Sequence, residues 1–186
     1  MGPAATRRDL AATGLVLGVA ATAWFGWAHA APPSGWSGPL TLGGLVAVLV
    51  AIGSGVLVWT HRESDSAMQD PANRRAYGRA VIVEVVAILA GVVVLGATDR
   101  SSYLAAWILF VVGVHFVPLA RVFAVGALAV AGDALVVVSA LATIVAMTTD
   151  MAPSALAGGL GGLVMLVCAG RVVWRLARPG RVAVSR

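Results

Sequence analysis

Six long apolar runs follow one another along the chain, and they constrain its fold more than any other feature. They cover residues 10–30, 39–60, 79–97, 102–119, 122–148 and 153–174. A helix needs about 20 mostly apolar residues to cross the hydrocarbon core of a bilayer. Each run has about that length, so the sequence predicts six membrane-spanning segments.

The runs are continuous, whereas a strand of a membrane barrel alternates in polarity over about ten residues. Backbone groups in lipid must be hydrogen-bonded within their own segment, which favours helices. The chain is 60% hydrophobic and 11% charged, while soluble domains carry about 25% charged residues. The predicted fold is therefore all-α: a polytopic membrane helix bundle that forms one domain over residues 1–186.

Two polar segments interrupt or follow the apolar runs. Residues 61–78 form the single long polar loop, and residues 175–186 form a basic tail; we expect both in the cytoplasm. The weakest break lies at residues 118–122, where Arg121 is the one arginine within a very long apolar stretch. That stretch is long enough for two crossings, so the sequence predicts a tight turn there, with a broken helix as the alternative.

The charged residues predict the orientation. All 13 basic residues are arginines, and with six spans all but Arg100 fall on one side. The positive-inside rule places that side in the cytoplasm. We therefore expect both termini to be cytoplasmic and the protein to lie in the inner (plasma) membrane. The net charge of +5 follows from this pattern and does not indicate nucleic-acid binding.

The first run raises a question of processing. Arg7 and Arg8 precede it, and Ala28-His29-Ala30 near its end resembles the cleavage site of a secretory signal. The run is longer than the apolar region of a typical signal, which favours an uncleaved first helix. Cleavage would leave five spans with the same orientation.

Small residues recur four positions apart in several spans, a spacing that lets helix backbones approach closely in lipid. The pattern is found at Gly14 and Gly18, at Gly43, Ala47, Ala51 and Gly55, at Ala87 and Gly91, and at Gly158 and Gly162. It predicts a tight bundle within one protomer and leaves the oligomeric state undetermined.

Three ionisable residues fall inside the predicted spans: Glu84, His115 and Asp133. Such residues cost about 2.5–3.5 kcal/mol to insert and are candidates for a functional role. At 1.5 Å per residue, Glu84 lies roughly 7 Å from the cytoplasmic side and Asp133 roughly 16 Å. His115 is at a depth similar to that of Glu84, so these two could meet with Asp133 deeper in the membrane.

This placement predicts a small polar cavity among spans three, four and five, open to the cytoplasm. Asp133 would be its floor, and its mouth would be formed by Arg79, Arg121 and Tyr77. In span three, Tyr77 and Glu84 share the small-residue side of the helix with Ala80, Ala87 and Gly91.

Each candidate also has a purely structural interpretation. Glu84 could pair with Arg79 or Arg121 and fix the register of its helix. His115 could donate to a carbonyl that Pro118 leaves without an amide. Asp133 could be a neutral, hydrogen-bonded group rather than a proton relay.

The sequence predicts neither a metal nor a cofactor. Glu84, His115 and Asp133 come singly from three segments, without the paired spacing of metal ligands. No phosphate-binding loop, dinucleotide fingerprint, zinc-protease motif or nucleophile elbow is present in the chain. The expected partners are membrane lipids and a small solute, a proton or a lipid ligand.

The stretch from Gly113 to Arg121 has the form Gly-x-His-Phe-x-Pro-Leu-Ala. It resembles a pattern found in small multi-pass bacterial membrane proteins of unknown function. The resemblance implies that His115, Pro118 and Arg121 belong to a defined site or helix kink, and it implies no activity.

Three functions remain open from the sequence. The first is the binding or translocation of a small solute or proton through the polar cavity. The second is an intramembrane enzyme that acts on a lipid or isoprenoid, with paired carboxylates as acid and base. The third is a structural or accessory membrane protein in which these residues serve packing alone.

Overall fold

The computed structural model describes residues 5–177, and six long helices make up most of them. The helices are α1 (Arg7–Ala28), α2 (Ser37–Thr60), α3 (Pro71–Ala97), α4 (Leu104–Val122), α5 (Gly126–Thr148) and α6 (Pro153–Ala177). Residues 5–177 contain no strand. All six helices are long and apolar enough to cross a membrane. The prediction of an all-α bundle with six spans is confirmed, and the chain is a multi-pass membrane protein.

Helix α3 begins earlier than the apolar run that predicted it. The side chain of Asp70 accepts a hydrogen bond of 2.7 Å from the backbone N–H of Ala72, and Pro71 occupies the first turn. Asp and Pro are favoured at these two positions of a helix. Much of the predicted loop 61–78 is therefore helical, and residues 61–70, with a short turn of 3-10 helix, connect α2 to α3.

A turn, and not a broken helix, separates α4 from α5. Pro118 lies inside α4, which continues to Val122. The chain reverses over residues 123–125, where Ala124 has a φ angle of 53°. The predicted turn is thus present a few residues later than expected. Of the predicted tail 175–186, residues 178–186 lie outside the described residues.

The bundle is held together by helix pairs that meet at small residues. A Cβ atom added to Gly18 of α1 would lie 2.9 Å from the backbone nitrogen of Ala51 in α2. A Cβ atom on Gly132 of α5 would lie 2.6 Å from the carbonyl oxygen of Gly113 in α4. Only glycine permits such close approach, so these residues determine which faces of the helices meet.

Helix α1 packs against α2 and α6, and α4 packs against α5, which also contacts α6. Helix α3 lies at the edge, where α4 is its main neighbour among the helices. Most of its apolar side chains are exposed, as expected for a surface that faces lipid.

The two ends of the bundle differ in charge. At one end, the start of α1 lies beside residues 61–73 and the α4–α5 turn, and the Nη1 of Arg8 donates to the carbonyl oxygen of Arg62 at 3.0 Å. Residues 31–33 and 149–152 meet at the other end. We call the first, arginine-rich end the basic end.

Candidate functional site

Helices α3 and α4 bring Glu84 and His115 together. The Nδ1 of His115 lies 3.5 Å from the Oε2 of Glu84 and 3.3 Å from the carbonyl oxygen of Ala80, one turn earlier in α3. The His115 side chain is 7% exposed and that of Glu84 is 20% exposed. Among the described residues, this is the one contact within 4.0 Å between an acidic and a basic side chain. The predicted meeting of these two residues is present in the fold.

Small residues on α3 allow this contact. The indole of Trp107 in α4 lies directly over Gly91, and its Nε1 donates to the carbonyl oxygen of Ala87 at 3.0 Å. Gly91, Ala87 and Glu84 lie on one side of α3, at a spacing of three to four residues. The docked Trp107 thus holds the Glu84 face of α3 against α4.

The two acceptors near Nδ1 of His115 indicate which of its ring nitrogens carries the proton. Both groups near Nδ1 are acceptors, so in the neutral imidazole the proton belongs on Nδ1. The Nε2 then carries a lone pair. The Nε2 has no hydrogen-bonding partner in the described part of the chain. The one fully buried polar side-chain atom without a partner there is Ser54 Oγ, so Nε2 of His115 is not fully buried.

A cleft of about 680 Å³ runs between α1 on one side and α3 and α4 on the other. Glu84 and His115 lie on its wall, together with Tyr77. Its remaining walls are mostly apolar, and α1 contributes side chains from Arg8 to Trp24. A volume of about 300–1,000 Å³ with few polar groups is typical of a small-molecule site.

Of the predicted site residues, the fold places Tyr77, Glu84 and His115 in the cleft and the other three outside it. Tyr77 packs edge to face on Phe123, with the ring centroids 6.2 Å apart. Arg79 and Arg121 are exposed, and neither lines the cleft. Glu84 therefore contacts His115 and not an arginine, and His115 contacts Ala80 and not a carbonyl near Pro118.

Asp133 does not form the floor of the cleft. It is exposed on the outer surface of α5. The reason lies in the residue beside it: Gly132 meets Gly113 of α4, and successive residues of a helix differ by about 100° in direction. Turning Gly132 toward α4 turns Asp133 away from the cleft.

Asp9 is a residue of the cleft that sequence reasoning missed. It is 3% exposed. Its carboxylate accepts hydrogen bonds from Thr6 Oγ1 (2.9 Å), Ser66 Oγ (2.7 Å) and the backbone N–H of Ala67 (2.9 Å). Asp9 thereby fastens the α2–α3 connection to the start of α1. The spacing Thr6-x-x-Asp9, which is close to a capping box, is the signal that could have revealed it.

The described residues contain no group of three His, Cys, Asp or Glu side chains that could hold a metal ion. Glu84 and His115 form the one pair of an imidazole and a carboxylate in contact in the cleft. Together they can accept, hold and pass on a proton.

A comparison of the chain with known protein families finds no match, and neither a curated protein nor a solved structure matches it. The resemblance carried by Gly113 to Arg121 therefore stays an expectation. In the fold, Gly113 lies at the contact between α4 and α5, and His115 lies on the wall of the cleft.

Proposed function

We propose that this membrane protein binds a small solute in the cleft between α1, α3 and α4, and that Glu84 and His115 exchange a proton as the solute binds or moves. The observation that carries the proposal is the position of this pair on the wall of a cleft of about 680 Å³. Ionisable residues within a membrane-spanning region are costly and mark solute or proton pathways.

The proposed chemistry uses both ring nitrogens of His115. The Nδ1 proton is donated to the carbonyl oxygen of Ala80, which leaves Nε2 free to accept a proton from the solute or from water. The carboxylate of Glu84, 3.5 Å from the ring, then offsets the charge of the imidazolium. The pair can thus take up a proton without leaving an isolated charge inside the membrane.

We further infer that the basic end of the bundle is cytoplasmic, and that the cleft is filled from that side of an inner (plasma) membrane. The distribution of the arginines supports this orientation. The test is a fluorescent protein fused to the carboxyl terminus, chosen to mature only in the cytoplasm. We expect fluorescence in bacterial cells, and a dark fusion with full expression would refute the orientation.

Native mass spectrometry of the gently solubilised protein tests the proposed function. We expect a discrete added mass on the wild type, which is lost in Glu84→Gln and in His115→Gln. Asp133→Asn is the matched control, since it also removes a carboxylate from a span but lies outside the cleft. A bare wild type, or an equal added mass in all variants, would refute binding at this pair.

The second candidate is an intramembrane enzyme that acts on a lipid or isoprenoid. The apolar walls around a single imidazole–carboxylate pair favour it, because such a pair can serve as acid and base. If the protein is an enzyme, a lipid incubated with the wild type would be converted to a product of different mass. A transported solute would be released unchanged. The third possibility, a packing role alone, predicts a lower melting temperature for Glu84→Gln and no change in any bound mass.

A further inference from the structure

The polar groups of the cleft are concentrated toward the basic end. Arg8, Thr13 and Ser66 line it there, while Ala20, Trp24 and other apolar residues line its deep end. The helical rise from Arg8 to Trp24 is about 24 Å at 1.5 Å per residue. The cleft is therefore long, with a polar mouth and an apolar floor.

The mouth contains an arginine whose guanidinium forms no ion pair with the described residues. The carboxylate of Asp9 lines the same end of the cleft, but it accepts its hydrogen bonds from Thr6, Ser66 and Ala67 and not from Arg8. The Nη1 of Arg8 donates to the neutral carbonyl oxygen of Arg62, and no carboxylate of the described residues lies within 4.0 Å of its guanidinium. The guanidinium of Arg8 thus keeps donors at the mouth of the cleft that no carboxylate of the described residues occupies.

We propose that the ligand of this cleft is a single-chain amphiphile with an anionic head group. Its head lies beside Arg8, and its chain extends past His115 to Trp24. A guanidinium matches the geometry of a carboxylate or phosphate, and the apolar floor matches a hydrocarbon chain. This ligand class rests on the proposed function, which states only that the cleft binds a solute.

The length of the cleft favours a ligand with a hydrocarbon chain rather than a compact polar solute. A compact solute would fill only the upper part and would leave the surface around Trp24 and Val112 without contacts. A volume of about 680 Å³ suits one chain of this length. The carboxylate of Glu84 lies halfway along the wall, below the level of the anionic head.

The probe is hexadecanoic acid with a diazirine at the end of its chain, added to the protein in phospholipid vesicles. Light attaches the probe wherever its chain end lies, and peptide mass spectrometry maps the position. We expect attachment at the floor, in the segments that contain Trp24 and Val112. Excess hexadecanoate should compete, whereas hexadecyltrimethylammonium should not. Labelling of lipid-facing residues on α2 serves as the internal reference.

Two pairs of variants test the head and the chain separately. Arg8→Gln should raise the probe concentration for half-maximal floor labelling about tenfold, and Arg8→Lys should raise it less. Its control is Arg7→Gln, because Arg7 is exposed and outside the cleft. Ala20→Leu should abolish floor labelling, whereas Ala23→Leu, on the exposed side of α1, should not. Thermal unfolding of each variant identifies any that fails to fold.

The outcomes separate the ligand class from the proposed function. Floor labelling that survives Arg8→Gln, is competed by the cationic amphiphile and is lost in Ala20→Leu would overturn the anionic head while leaving binding in the cleft intact. Labelling at α2 alone, unchanged by Ala20→Leu and by either competitor, would overturn this inference. If native mass spectrometry also shows bare protein, the proposed function fails as well.

Discussion

The Nδ1 of His115 lies 3.5 Å from a carboxylate oxygen of Glu84, and this contact joins α3 to the rest of the bundle. Helix α3 has few other neighbours, so the pair serves both the attachment of α3 and the chemistry of the cleft. Substitutions at and around the pair can separate these two roles.

A double-mutant cycle should detect the coupling between Glu84 and His115. We expect the free energies of unfolding of Glu84→Gln and His115→Gln to be non-additive by at least about 0.5 kcal/mol, because the two side chains are in contact. Unfolding by sodium dodecyl sulfate in mixed micelles measures it. The same cycle with Arg121→Gln should be additive, since Arg121 is exposed and outside the cleft. Additivity in the first cycle would contradict the contact.

Gly91→Ala should weaken the packing of α3 against α4. The added methyl group would collide with the indole of Trp107 and displace the hydrogen bond from Nε1 to Ala87. We expect a loss of about 1–2 kcal/mol in unfolding free energy, together with a change in tryptophan fluorescence. The control is Gly96→Ala in the same helix, where nothing lies within 4 Å. Equal stability of the two variants would show that Trp107 moves without cost.

Asp9→Ala should release the α2–α3 connection. The substitution leaves the N–H of Ala67 and the hydroxyl of Ser66 without their acceptor. A fully buried group left unpaired costs about 1–3 kcal/mol, and these two groups are half-buried. We expect hydrogen exchange over residues 62–70 to become faster by tenfold or more. Asp65→Ala, in the same connection but exposed, should exchange like the wild type.

Two buried serines should respond differently to the same substitution. The Oγ of Ser139 in α5 donates to the carbonyl oxygen of Ala106 in α4 at 2.7 Å, so Ser139→Ala should cost about 0.6 kcal/mol, the usual value between membrane helices. The Oγ of Ser54 is buried without a partner. Ser54→Ala should therefore leave the melting temperature unchanged or raise it. A drop equal to that of Ser139→Ala would indicate a hydrogen bond at Ser54.

Length and hydropathy along the chain were sufficient to predict the six helices and the turn between α4 and α5. These features are local: a run of apolar residues in lipid must be helical, because no water is present to satisfy its backbone. The depth of a residue also follows from its position in the run. Glu84 and His115 were therefore expected at one level, and the fold places them in contact.

The direction in which each side chain points was decided by the tertiary structure alone. In water, an apolar stripe reveals the buried face of a helix. In lipid both faces are apolar, so hydropathy does not tell a face that meets lipid from one that meets a helix. The contact of Gly132 with Gly113 therefore turned Asp133 outward against expectation. Likewise the burial of Asp9 and the cleft beside it depend on contacts between α1, the α2–α3 connection and α4, which are distant in the chain.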